Sequence, residues 1–327
     1  MNRFFTDVLF PYIDKHGITT IIFLGDLIDR RKYINFETLK FMDTCLLDPL
    51  LKRNIDVHLL LGNHDIYFKN TSEVNSPDLL LSKYTNIKIY DKPQDVTVNG
   101  ITLSFIPWLN DNNMEDFKKY LPTSKASLAF GHLEIKGFQV LRGILSEHGL
   151  DKEELKNFEF VYSGHFHQKQ DNGQIYYLGT QYDLSFSDVN EKKGFHILDL
   201  NTRKLEFIEN PYKLFYKVVY DDKDINQDFS KFTDCYVKLL VKKKTDVAKF
   251  DKYLENLYNS NPADVSIIEE FTLSTDSPDE IDQSDDTLSL ISKEIDYLES
   301  TDVDKTTLKR LINELYHESF EVKSDKE

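Results

Sequence analysis

Four times in this chain a short apolar run stops at a glycine, and the next residue carries an atom able to bind a metal. The places are Phe23-Leu24-Gly25-Asp26, Leu60-Leu61-Gly62-Asn63, Ala129-Phe130-Gly131-His132 and Tyr162-Ser163-Gly164-His165. The second continues through His64 and Asp65, and the fourth through Phe166 to His167. The runs, at 20–24, 57–61, 127–130 and 158–162, are aliphatic and aromatic, which predicts strands buried on both faces. Glycine at a strand end allows a sharp turn and leaves room for a closely held group. Ligands of α/β sheets collect at the carboxyl ends of strands, where these donors would sit. One such pair is an ordinary turn; four of them predict a common site.

The donors are chemically consistent. Asp26, Asn63, His132, His165 and His167 mix oxygen with imidazole, a set suited to Mn²⁺, Fe²⁺ or Zn²⁺ more than to a purely oxygen-seeking ion. Two such ions ~3.5–4 Å apart can activate a water and stabilise both oxygens of an in-line displacement at phosphorus. A carboxylate is the natural bridge between two cations, which selects Asp26.

In order, Gly25-Asp26-Leu27-Ile28-Asp29-Arg30, Gly62-Asn63-His64-Asp65, Gly131-His132 and Gly164-His165-Phe166-His167 resemble the motifs of calcineurin-like metallophosphoesterases. Within that superfamily the chain resembles SbcD-type DNA repair nuclease subunits, those of tailed bacteriophages included. Gly17-Ile18-Thr19-Thr20, Tyr90-Asp91-Lys92-Pro93, Ile106-Pro107-Trp108 and Gly194-Phe195-His196 share in the likeness, which is good over residues 1–215 and looser beyond. It implies an α/β fold: a two-sheet sandwich flanked by helices, with a small α+β capping domain and a C-terminal helical tail.

The resemblance also implies roles. Two divalent ions are expected, Mn²⁺ first, with Mg²⁺ or Fe²⁺ as alternatives. One would be held by Asp26, Asn63, His132 and His165, the other by Asp26 and His167. His64 would be the acid that assists the leaving 3′ oxygen, and Asp65 would orient His64 or an adjacent backbone group. Asp29 and Arg30 would support the loop carrying Asp26. The family opens with a strand ending in Asp-x-His, which adds two ligands to one ion, and nothing here matches it. Asp14-Lys15-His16 has the letters but follows a helix and precedes a strand. The chain starts where the family's first helix is already under way, so the expectation is weak or no activity for this polypeptide and nuclease activity for a complete one. DNA exonuclease and endonuclease action beside an SbcC-type coiled-coil ATPase is the implied function, in a homodimer within a heterotetramer. The alternatives are a phosphomonoesterase or cyclic nucleotide phosphodiesterase of the same superfamily, and a shortened scaffold protein that docks the ATPase without cutting.

A net charge of −16 argues against DNA as a partner until it is located. Residues 269–327 hold 18 of the 56 acidic residues and 6 of the 40 basic ones, a net of −12, so the first 268 carry only −4. Arg30-Arg31-Lys32 and Lys242-Lys243-Lys244 are the local basic patches, available to phosphates or simply solvated. No apolar stretch approaches the ~20 residues of a membrane span. The N-terminal residues lack the apolar run of a signal peptide. Cys45 and Cys235 form no motif and read as reduced thiols in a cytoplasmic protein.

Along the chain, helices are predicted over 4–16, with Pro11 in its interior, 36–51, 79–84 and 151–157. A polar loop is expected from Lys69 to Asp78. Strands are expected at 87–90 and 95–98 as a pair, with Asn99-Gly100 turning the chain into a partner at 101–106. Closing strands follow at 175–178, 194–200 and 204–208. The expected organisation is a nuclease domain at 1–211 and a capping domain at 212–273. The capping domain would hold strands at 215–219 and 235–241 and a helix at 247–258. An acidic linker at 274–286 and an ATPase-binding helix pair at 287–327 complete it. His58, His148, His196 and His317 match no motif, and Trp108 reads as core.

Overall fold

A computed structural model describes residues 1–141, 143–222 and 227–269, with 291, 295–296, 304–309 and 312 beyond them. Residues 1–269 form one compact unit and 270–327 a second.

The first unit begins in a helix of three pieces, Asn2–Phe4, a π-helical turn at Phe5–Leu9, and Phe10–His16. Pro11 explains the middle piece. A proline has no N–H to donate and its ring strikes the carbonyl four residues back. The ladder widens just ahead of it, where the Phe10 N–H reaches the Phe5 carbonyl. The second helix repeats the device as Phe36–Met42, a π-helical Asp43–Leu47 and Asp48–Lys52, with Pro49 in the same place.

The strands are β1 (Thr20–Phe23), β2 (Asp56–Leu60), β3 (Ile66–Phe68), β4 (Thr71–Asn75), β5 (Ile87–Tyr90), β6 (Gln94–Val98) and β7 (Ile101–Ile106). They continue as β8 (Leu128–Gly131), β9 (Gln139–Leu141), β10 (Ile144–Leu145), β11 (Phe160–Ser163), β12 (Gln170–Asp171) and β13 (Ile175–Tyr177). One parallel sheet runs β1-β2-β5, and a six-stranded sheet runs β12-β13-β11-β8-β7-β6 with its four inner strands parallel.

Side chains alternate between layers, as a pleated strand requires. Val57 and Leu59 of β2 pack with the helices through Phe10, Leu46 and Leu50, while Leu60 faces Phe105, Leu128, Phe130 and Tyr162 between the sheets. Ala129 and Val161 face the opposite way, toward Phe117, Leu133 and Leu155. The result is a two-sheet sandwich with helices outside, as the resemblance implies. All four apolar runs become strands ending at or beside their glycines, so the donors gather at one end.

Several local expectations fail for identifiable reasons. Strand β1 is not buried on both faces; its residues are all half-buried, and among the described residues it pairs on one side only, with β2. Residues 69–78 are no polar loop, because β3 and β4 pair antiparallel and Ser76–Leu80 forms a helix capped by the Asn75 side chain. That helix replaces the one expected at 79–84. Strands β5 and β6 do not pair; they enter different sheets. The helix expected at 151–157 is a single 3₁₀ turn, Lys152–Leu155, opened by an Asp151–Glu154 capping box. Asn99 and Gly100 do make the hairpin turn between β6 and β7, with φ of 48° and 79°.

An antiparallel ribbon follows, β14 (Gly194–Leu198) with β15 (Leu205–Glu209). Next come β16 (Phe215–Tyr220), β17 (Tyr236–Val241), the helix Val247–Asn259 and β18 (Asp264–Glu269), which sequence patterning did not foresee. These last three strands form a parallel sheet, order β16-β17-β18, packed on Phe250, Tyr253 and Leu257 of the helix. In the second unit, Lys305 and Lys309 both reach Asp296, through its carbonyl and its carboxylate. The expected linker at 274–286 and most of 287–327, His317 included, lie outside the described residues. Among the described residues no helix is long and apolar enough to cross a membrane.

Strand β14 carries a pH effect. Burial, and then the charge of Lys169, push the His196 imidazole down from 6.5 to about 4. Its ring lies against Phe207, 5.0 Å between centroids. Between those values the unfolded chain binds the proton and the folded chain refuses it, so this stability is present above pH 6.5 and lost as pH falls toward 4. His196→Phe is therefore expected to raise stability at pH 5 by on the order of 1–2 kcal/mol and to change little at pH 8. Urea titrations at the two pH values check this.

Candidate metal centre

The glycines bring the donor loops together by what they lack. A Cβ on Gly62 would lie 2.1 Å from Asp26 Oδ1, and one on Gly25, which has φ +92°, would lie 2.4 Å from His132 Nδ1. The room expected for a bound group is thus filled by the neighbouring loop. Asp26 and His165 themselves adopt positive φ, 56° and 82°, an uncommon backbone for such residues, which turns their side chains back across the strand ends.

Four of the five predicted ligands converge. Oδ1 of Asn63 is 3.0 Å from both His132 Nε2 and His165 Nδ1, and Asp26 Oδ2 is 3.2 Å from His132 Nε2. Ligand atoms of Asp26, His132 and His165 all lie within 4.8 Å of one another. His132 Nδ1 donates to the Leu24 carbonyl at 2.6 Å, which fixes the ring and turns Nε2 inward. Two imidazoles, a carboxylate and an amide oxygen in one small volume fit a divalent metal ion.

His167 stands outside this group and is exposed. Its backbone is held instead: Lys193 Nζ donates to the His167 carbonyl at 3.0 Å, and the Thr180 N–H also reaches it. Lys193 is 3% exposed and ion-paired with buried Asp188 at 2.7 Å. A buried Lys–Asp pair has no sequence signal, because every lysine reads as surface until its neighbours are known.

Electrostatics follow from burial and the close pairing. Burial alone would push the Asp26 carboxyl up, but the charge and hydrogen bond of His132, then His64, outweigh it and hold Asp26 well below the usual carboxylate range. For His132 burial works downward, and Asp26 wins in raising it. Burial, and then His132, push His165 down to about 3, so that imidazole is neutral at physiological pH with a free electron pair.

Asp65 is fully buried and gathers backbone N–H groups from both loops. Its oxygens accept from Asp26 and Gly62 at 2.8 Å, Leu27 at 3.0 Å and Ile28 at 3.4 Å. Of the two roles considered for it, orienting backbone is the one the geometry has. Burial, and then the negative charge of Asp26, push Asp65 up to about 6 against those hydrogen bonds.

His64 donates its backbone N–H to Asp26 Oδ1 at 2.8 Å, and its Nδ1 lies 2.5 Å from the Asp29 carbonyl. That carbonyl can only accept, so Nδ1 carries a proton and Nε2 is the nitrogen left to gain or lose one. Asp29 therefore acts through its backbone, on His64 rather than on Asp26. Arg30 bonds and stacks on Tyr33. Trp108 is not core: it is half-buried, its ring 5.0 Å from that of His165 and 6.0 Å from that of His132, where it walls the site. His58, by contrast, is a buried structural residue bonded to the Tyr90 hydroxyl at 2.7 Å, and His148 is exposed.

Residues 2–169 match the family model described as calcineurin-like phosphoesterase. Among curated proteins, "Exonuclease subunit 1" of Enterobacteria phage T4 is 33% identical over 313 residues, 94% of this chain and 90% of that protein. The SbcD component of the SbcCD nuclease from Staphylococcus epidermidis is 23% identical over 223 residues, 59% of each chain. Its counterpart from Staphylococcus saprophyticus is 22% identical over 57% of this chain and 56% of its own.

Proposed function

The chain belongs to the calcineurin-like phosphoesterase family, and from that premise we propose that it is the nuclease subunit of an SbcCD-like complex, hydrolysing DNA phosphodiester bonds with divalent metal ions. The observation that carries this reading is the convergence of Asp26, Asn63, His132 and His165 from four strand ends. The near full-length likeness to an exonuclease subunit supports the choice of substrate.

Asp26, Asn63, His132 and His165 would hold one ion, and Asp26 with His167 a second, Mn²⁺ being the metal expected. When bound, such ions supply the charge that activates a water and stabilises both oxygens at phosphorus. The chain's own groups do the rest. Asp26 binds as an anion because His132 and His64 keep it ionised. His165 binds as a neutral imidazole because burial keeps the proton off. His64, with Nδ1–H donating to the Asp29 carbonyl, would as the imidazolium carry a second proton on Nε2 and deliver that one to the leaving 3′ oxygen, returning to the neutral ring. Asp65 holds the two loops in register. Trp108 limits water beside His165.

The partners would be DNA and a coiled-coil ATPase bound through residues 287–327, with residues 212–273 as the capping domain over the nuclease domain, in the cytoplasm. The scaffold reading has one observation in its favour: the donors that gather are sufficient for one ion, with His167 outside them.

One experiment separates these readings. The sequence contains a single tryptophan, and it adjoins the site, so its emission reports metal binding directly. Mn²⁺ is expected to change Trp108 emission and to support hydrolysis of DNA in preference to p-nitrophenyl phosphate. Emission that responds while DNA stays intact favours the scaffold. Hydrolysis of the monoester in preference to DNA favours the phosphomonoesterase. No response in either assay sinks the metal site itself.

A further inference from the structure

The β3–β4 hairpin begins where the metal centre ends. After Asn63, His64 and Asp65 comes Ile66, fully buried, and then Tyr67 and Phe68, 41% and 48% exposed. The two rings meet edge to face with centroids 4.7 Å apart. This exposure is not looseness. The Asp65 carbonyl accepts from both the backbone and hydroxyl of Ser76, and Asn112 ties the turn through the Asn70 carbonyl and the Thr71 hydroxyl. A rigid hairpin holding two adjacent aromatic rings in water gains nothing for folding, and such surfaces mark binding sites.

The loop beside it supplies charge. His64 Nδ1 joins the base of the hairpin to Asp29, and Asp29 is followed by Arg30, Arg31, Lys32 and Tyr33. Nη1 of Arg31 is buried with no hydrogen-bond partner among the described residues. Lys69 follows the two rings, and the acidic residues in these two stretches that face water are Asp29 and Glu73. Basic and aromatic residues thus interleave beside the site of a chain whose net charge is −16.

We propose that Tyr67 and Phe68 form a stacking platform for unpaired bases of a DNA strand end, with Arg30, Arg31 and Lys32 along its phosphates and the scissile group at Asp26, Asn63, His132 and His165. The proposal rests on the nuclease reading and adds the form of substrate. Aromatic rings take any base by its face, so the platform favours unpaired strands over duplex without reading sequence. Tyr67 lies four positions after Asn63, a reach of at most about 14 Å, or at most roughly four nucleotides of stacked strand.

The test uses the full chain and two probes of equal length and charge: a fluorescein-labelled single-stranded oligonucleotide, and the same sugar-phosphate backbone without bases. Binding is measured with Ca²⁺ in place of Mn²⁺, and thermal transitions check that each variant folds. The variant Tyr67→Ala/Phe68→Ala is expected to bind the base-bearing strand at least about 10-fold more weakly and the base-free strand as wild type does. Tyr67→Trp/Phe68→Trp is expected to restore affinity. Equal weakening on both probes, or no weakening on either, overturns the platform; the second result would leave the exposed rings as a surface for protein. If wild-type protein binds neither probe and cuts no DNA, the nuclease reading fails and the platform with it. If wild type cuts DNA and the alanine variant binds both probes unchanged, the platform alone is wrong.

Discussion

Asp65→Ala is expected to cost about 4 kcal/mol of folding stability, among the largest effects a single buried polar residue produces. Its carboxylate accepts four backbone N–H groups from two loops, and water cannot replace it because the residue is fully buried. Each orphaned donor costs roughly 1–3 kcal/mol, and the longest bond, to Ile28, counts least. Asp65→Asn keeps an amide oxygen for some of those donors and turns an NH₂ on the others, so roughly half the loss is expected. Urea midpoints of the metal-free chain measure both. An alanine variant as stable as wild type would show that the two loops are held by something else. The loss extends to chemistry, because Asp26 and Gly62, whose N–H groups Asp65 holds, flank the metal centre.

Asp26→Asn is expected to act differently, sparing the fold and removing the function. Mutation of an outer partner of a metal ligand commonly costs 10–100-fold, and loss of the charged ligand proposed to bridge two ions is expected to cost more than about 100-fold in Mn²⁺-dependent DNA hydrolysis. The amide cannot supply the negative charge that raises His132. It also removes the like charge that opposes Asp65 while losing the ion pair with His132, two opposed changes, so the metal-free variant should melt close to wild type. Metal added at 100 times its dissociation constant stabilises a protein by about 2.7 kcal/mol. That increment, seen as a rise in melting temperature with Mn²⁺, is expected in wild type and absent in Asp26→Asn, as is the response of Trp108 emission. A variant that keeps the thermal increment and loses only turnover would move Asp26 from ligand to another catalytic role.

These two carboxylates show what could be read in advance. The four glycine-terminated runs were legible because a strand must change direction where its side chains vanish, and the polar atom that follows has few places to go. The sandwich was legible through the resemblance the motifs carry, and the pleat of the strands then decides which layer each side chain enters. Legibility ends where short-range pattern and long-range pairing part company. Residues 69–78 look like a polar loop because a hairpin edge in water has no apolar face, and 87–98 looks like a pair because nothing local says that its halves join different sheets.

The sequence by itself determined where the strands end and, through the motifs' family resemblance, the fold class, and it named the donors proposed to bind metal, since these depend on residue type and spacing. Only the tertiary structure decided how those donors are held. It assigned Asp65 to four backbone groups, gave the Asp29 carbonyl to His64, brought Trp108 out of the core to the site, and buried Lys193 against Asp188 beneath His167. The physical reason is that a hydrogen bond or a buried ion pair is set by distance across the fold. Partners remote in sequence, such as Asp29 with His64 or Trp108 with His165, leave no trace in the order of the residues, and a near pair such as Lys193 with Asp188 is buried only by what folds over it.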